Sequence, residues 1–152
     1  MEKVEKLMPL LYILIVLSLI LIANFVIPPV QEFTRERGLF EYILFGIGGA
    51  ITLLGLTIAY LAKRWKVESR MKTYLIMTGF AAAFFLIGTV LHNMFYALAK
   101  TFEDLAVIKL LAQMLGVVSF ILVLFGSPIL FAIGAIGSIL EGRKLKKKLI
   151  CV

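Results

Sequence analysis

Four long stretches of the chain contain no Asp, Glu, Lys or Arg: residues 7–31, 42–62, 73–99 and 110–140. Each meets or exceeds the roughly 20 apolar residues that a helix needs to cross the hydrocarbon core of a bilayer. All the charged residues, 16 basic and 9 acidic, fall in the short stretches between and beyond: 1–6, 32–41, 63–72, 100–109 and 141–152. The pattern predicts an all-α integral membrane protein. It is a single domain over residues 1–152, a bundle of four transmembrane helices with spans at about 7–27, 42–62, 73–98 and 110–140.

Composition agrees with this pattern. The 152 residues are 62% hydrophobic and only 16% charged, with a mean hydropathy of +1.05. Soluble domains are less apolar and more charged, so a soluble enzyme, a nucleic-acid module and a disordered chain are excluded. The first apolar run is too long for a signal-peptide core. No small-x-small site precedes Pro28-Pro29, so the run reads as a retained span.

The net charge of +7 marks topology rather than a nucleic-acid partner, because the basic residues cluster at span ends. The first, third and fifth charged stretches share a side and carry 12 Lys and Arg, against 4 on the other side. Short basic loops stay cytoplasmic, so both termini are predicted inside, in a multi-pass protein of the plasma membrane. The aromatics fit: Tyr60, Trp65 and Tyr74 fall at the inner interface, and Tyr42, Phe95, Tyr96 and Phe102 at the outer one.

The spans differ in character. Span 1 is predicted to stop at Pro28-Pro29, since proline cannot continue a helix. The fourth run has 31 residues, about 46 Å as a straight helix against a core of about 30 Å. Thr101 followed by Glu103 and Asp104 reads as an N-cap with acids at the positive end of the helix dipole. This predicts a helix entering obliquely from about Phe102. Gly126-Ser127-Pro128 then falls near mid-membrane and is predicted to kink it at Pro128.

Two helix faces stand out. In span 2, Gly48, Thr52, Gly55 and Ala59 recur at helical spacing, followed by Ala62, and read as a packing face that lets helix backbones approach. In span 3, Tyr74, Thr78, Ala82, Phe85, Thr89, His92 and Tyr96 lie within roughly 40° of one direction, with Asn93 beside them. Phe80, Phe84, Ile87, Leu91 and Met94 form the opposite surface. The polar lane is read either as side chains bonded to their own helix or as a wet crevice closed by His92, Asn93 and Tyr96. Asn24, near the outer end of span 1, belongs at the depth of His92, which predicts a hydrogen-bonded Asn24–His92–Asn93 cluster.

Chemistry for catalysis is sparse. The uncharged runs hold one histidine and no carboxylate, too few ligands for a metal or a bis-histidine haem. Ion-coupled transport usually relies on an intramembrane carboxylate. Here Glu32, Glu36, Glu41, Glu68, Glu103, Asp104 and Glu141 all sit in connectors. Ser127 and His92 have no acid near their depth, so no catalytic triad forms. Cys151 is the sole cysteine and cannot make an internal disulfide. No catalytic, cofactor or metal residues are assigned, and the chain is not expected to be an enzyme.

The tail carries Arg143, Lys144, Lys146, Lys147 and Lys148 with Leu145 and Leu149 at i, i+4. Each basic residue gains about 1 kcal/mol near an anionic leaflet, so these side chains are expected on the inner-leaflet lipid surface. The run Leu91-His92-Asn93-Met94-Phe95-Tyr96-Ala97-Leu98 resembles a stretch in small uncharacterised four-span membrane proteins of prokaryotes, a resemblance that implies no activity. The function expected is that of an accessory, assembly or structural membrane component, as a homo-oligomer or beside another membrane subunit, with no nucleic acid. The alternative is a minimal oligomeric channel or carrier for an uncharged or weakly polar solute, using Thr78, Thr89, His92, Asn93 and Tyr96.

Overall fold

The structure, a computed structural model, describes residues 2–65, 67 and 69–150, and within the helices it leaves the side chains of residues 2, 3, 25, 40, 41, 69 and 148–150 undescribed. Lys66, Glu68 and Cys151 therefore lie outside the described residues, as does the side chain of Lys148. In order the chain forms α1 (Glu2–Val26), α2 (Pro28–Glu36), α3 (Phe40–Arg64), α4 (Ser69–Thr101) and α5 (Ala106–Ile121). A π-helical turn (Leu122–Gly126) and α6 (Ser127–Ile150) follow without a break. The described residues contain no strand. Among the described residues, four segments are long and apolar enough to cross a membrane: Val4–Asn24, Tyr42–Arg64, Arg70–Thr101 and Ala106–Lys147.

α1 ends where the sequence predicted, but the connector after it is helical. Ile27 is extended (φ −93°, ψ 106°), the conformation favoured before proline, and Pro28 and Pro29 open α2. Their missing N–H groups fall where a helix has no internal acceptor to offer. α2 stops at a turn in which Gly38 takes φ +65°. There the Leu39 N–H donates to Thr34 O at 2.8 Å. A left-handed residue just past a helix is the usual position for glycine.

Thr101 does not cap the fourth spanning helix. It is the last residue of α4, and its hydroxyl donates back to Ala97 O at 3.1 Å. The chain then turns through residues 102–105, and α5 starts after Leu105, which provides no side-chain cap. A threonine near an acidic pair reads equally well as a helix end, because its hydroxyl can bond the i−4 carbonyl. Further along, the Ser127 N–H donates to Leu122 O, five residues back. Pro128 has no N–H for the Leu124 carbonyl, and the widened π turn lies immediately before this gap.

α4 is the central helix. It packs against α3 on one side and against α5, the π turn and α6 on the other, while α1 lies on α3 and touches α6. The most completely buried apolar side chains lie at the end that carries both termini. Leu7, Leu11 and Leu14 form an i, i+4, i+7 stripe on α1, and with Ile58, Ala62, Met71 and Leu75 they are fully buried. At the opposite end α5 buries Ala112 and Gly116 against its neighbours. Large apolar side chains such as Val16, Leu53, Phe80 and Val107 cover the outside of the bundle, the surface that a bilayer solvates.

Candidate site along the central helix

The 4-3 spacing on α4 produces a continuous polar lane in sequence, but packing divides it among several neighbours. In a bilayer a hydroxyl has no water to bond, so the nearest acceptor is the carbonyl one turn back. Thr78 donates to Tyr74 O at 2.8 Å and Thr89 to Phe85 O at 2.7 Å. Asn93 Nδ2 donates to Thr89 O at 2.9 Å.

At the terminal end of the lane, Thr78 is fully buried against α6. A Cβ built on Gly134 would overlap Thr78 Oγ1 and lie 2.8 Å from Thr78 N and 2.9 Å from Tyr74 O. One built on Gly137 would lie 2.5 Å from Cδ1 of the Tyr74 ring. The lane here is closed by a glycine-surfaced helix. Near mid-depth, Ser127 donates to Ala81 O at 2.6 Å, a buried bond joining α6 to α4. Beside it lies a pocket of about 60 Å³ between α1, α3, α4 and α6, lined by Leu21, Ile51, Phe85 and Phe131 with Ser18 and Ser127. The Ser18 hydroxyl donates to Leu14 O at 2.8 Å. Both serine protons are thus engaged, which leaves an apolar space.

His92 sits toward the other end, half-buried against α5. Its Nδ1 lies 2.9 Å from Gly116 O. A carbonyl only accepts, so Nδ1 carries the proton. The ring is tilted 43° to Phe120 with centroids 5.2 Å apart. Asn93 and Tyr96 are exposed, and the Lys100 ammonium stands 5.2 Å over the Tyr96 ring. The lane residues do not converge on one crevice.

The expected Asn24–His92–Asn93 cluster is not formed among the described hydrogen bonds. Asn24 is buried, and its Oδ1 accepts from Thr34 Oγ1 of α2 at 3.0 Å. The same hydroxyl lies 3.0 Å from Gln31 O, and Asn24 Nδ2 has no partner among the described residues. Equal depth did not bring Asn24 to His92 because α1 packs on α3, whereas His92 faces α5. Thr34→Val is expected to lower stability in detergent by about 1–3 kcal/mol, because it strands a buried amide. Asn24→Leu combined with Thr34→Val is expected to recover most of that loss. Melting curves of the two variants check this.

The small face of α3 meets α4. A Cβ on Gly55 would lie 2.6 Å from Gly79 O and 3.2 Å from Ala82 Cβ, and one on Gly79 would overlap Gly55 O and lie 3.1 Å from Ala59 Cβ. A Cβ on Gly48 would lie 3.4 Å from Leu86 Cδ1, and Thr52 donates to Gly48 O at 2.9 Å. At each of Gly55 and Gly79 the space of a side chain is taken by the other's carbonyl oxygen, a close crossing that small residues permit. In the tail, Arg143, Lys144, Lys146 and Lys147 are exposed, and Lys144 pairs with Glu141 at 2.8 Å.

Sequence reading missed Thr34, Gly134 and Ser127 as contact residues. For Ser127 the signal was present in Gly126-Ser127-Pro128, where a backbone break frees a hydroxyl to cross to a neighbour. Gly134 and Gly137, one turn apart on α6, were legible as a small-residue pair, but not as partners of Thr78 and Tyr74. Among the described residues, no three His, Cys, Asp or Glu side chains gather where a metal could bind. Comparison of the chain with protein-family models, with curated proteins and with solved structures gives no match.

Proposed function

We propose that this chain is a non-enzymatic accessory or assembly component of the plasma membrane, working as a homo-oligomer or beside another membrane subunit. Both termini face the cytoplasm, and the fourth spanning helix bends at the π turn before Pro128. The polybasic tail rests on anionic lipids of the inner leaflet. The observation that carries this reading is the fate of the α4 lane. Its threonines and Asn93 donate to α4's own carbonyls, and its terminal half is covered by Gly134 and Gly137. A channel or carrier needs polar groups facing an aqueous path. Thr78, Thr89, His92 and Asn93 of α4 instead bond to backbone carbonyls of α4 and α5, which favours an architectural role over conduction.

Proteoliposomes loaded with glycerol or urea test the reading. Shrinkage and swelling at the rate of protein-free vesicles is the expected result. A faster flux that disappears in Thr89→Leu would overturn it in favour of a carrier along the lane. The orientation is tested separately with the single cysteine, Cys151. A membrane-impermeant maleimide is expected to label it only after cells are permeabilised, whereas Glu103→Cys in a Cys151→Ser background is labelled in intact cells. The reverse pattern would invert the topology.

A further inference from the structure

Where α3 and α4 leave their close contact at Gly55 and Gly79, a groove of about 500 Å³ opens between them toward the terminal end. α3 contributes Leu56, Tyr60 and Lys63, and α4 contributes Lys72, Ile76 and Phe80. The floor is apolar and the mouth is basic. Lys72, Ile76 and Phe80 are spaced i, i+4, i+8, so one stripe of α4 runs from ammonium to aromatic ring. Leu56, Tyr60 and Lys63 form the matching stripe on α3. Arg64 Nη1 donates to Tyr60 Oη at 3.1 Å, which leaves the phenol proton directed elsewhere and adds a third cation to the rim.

Neither Lys63 nor Lys72 has a carboxylate partner among the described residues. This distinguishes the groove from a second one between α1 and α6, where Glu5 stands with Arg143 and Lys146. Two ammonium groups on different helices, without a carboxylate partner among the described residues and above an apolar trough open to the bilayer, match one ligand chemistry: a phosphate bearing a hydrocarbon chain.

We infer that this groove is a specific site for an anionic phospholipid of the leaflet that borders both termini. The phosphate binds Lys63 and Lys72, with Tyr60 as hydroxyl donor, and an acyl chain lies along Leu56, Ile76 and Phe80. The site is distinct from the loose attraction of the tail. It does not depend on the accessory role or on which side of the cell that leaflet faces, so either reading can fail without the other.

The test is native mass spectrometry of the full chain in neutral detergent, titrated with dioleoyl phosphatidylglycerol and separately with dioleoyl phosphatidylcholine. The expected result is one strongly retained phosphatidylglycerol per chain. Lys63→Gln with Lys72→Gln weakens that binding by roughly 10- to 30-fold. Leu56→Trp keeps both charges but fills the trough, and is expected to reduce retention as well. Arg143→Gln with Lys146→Gln keeps it. Equal retention of the two lipids by the wild type would overturn the inference. So would a loss caused by the tail variant and not by the groove variant. Full displacement of the lipid by a polyglutamate peptide would reassign the groove to an acidic protein segment.

Discussion

Gly79→Ala is expected to destabilise the bundle by about 2–3 kcal/mol, although the same substitution on an open helix face stabilises it. The sign depends on what the new methyl meets. At Gly79 it meets the Gly55 carbonyl, and at Gly55 the equivalent methyl would lie 2.6 Å from the Gly79 carbonyl. Neither neighbour is a side chain that can rotate away, so α3 and α4 must separate as units. Separation loses dispersion contacts along both helices, and no hydrophobic drive between helices in lipid restores them. Gly49 provides the control, since a Cβ there has nothing within 4 Å. Gly49→Ala is expected to be neutral or to gain up to about 1 kcal/mol from helix propensity. In detergent melting, Gly79→Ala should fall roughly 10 °C below the wild type while Gly49→Ala does not fall. Equal behaviour of the two variants would contradict the α3–α4 crossing.

The second large effect belongs to the other side of α4. Gly134→Ala is expected to cost about 2–3 kcal/mol, because its methyl would press on Thr78 N, Thr78 Oγ1 and the Tyr74 carbonyl together. Thr78 cannot yield easily. It is fully buried, and its hydroxyl is held to Tyr74 O at 2.8 Å. Gly137→Ala is expected to cost less, although its methyl would lie 2.5 Å from Cδ1 of the Tyr74 ring, because an aromatic side chain can swing about χ1 where a backbone cannot. The order Gly134→Ala worse than Gly137→Ala, read as melting temperature, follows from backbone against side-chain contact. The opposite order would mean that α6 meets α4 in a different register.

These glycines also show how far the sequence could be read. Hydropathy and charge report position along the membrane normal, so the four apolar segments were legible, and Pro28-Pro29 marked the end of α1. Helical spacing reports direction around each axis, so the small face of span 2 and the polar face of span 3 could be drawn. Neither signal says which helix lies beside which. Asn24 and His92 share a depth in the sequence pattern, but Asn24 bonds to Thr34 of α2, a short helix that the charge pattern marks only as connector. His92 reaches Gly116 on α5. Thr101 ends α4 where its acidic neighbours predict a helix start, because a threonine hydroxyl serves a helix start and a helix end equally. Tail and connector charges bear on orientation across a membrane, and they leave lateral pairing to packing.

The central claim is that the polar lane of α4 is a packing face and not a water path. Thiol accessibility tests it most directly. In a Cys151→Ser background, Thr78→Cys is nearly isosteric and places a thiol in the middle of the Gly134 contact. A water-soluble methanethiosulfonate reagent, applied from either side, is expected to leave this thiol unmodified under conditions that fully modify Glu103→Cys. Modification of Thr78→Cys at a rate comparable to Glu103→Cys would contradict the claim and place water along the lane.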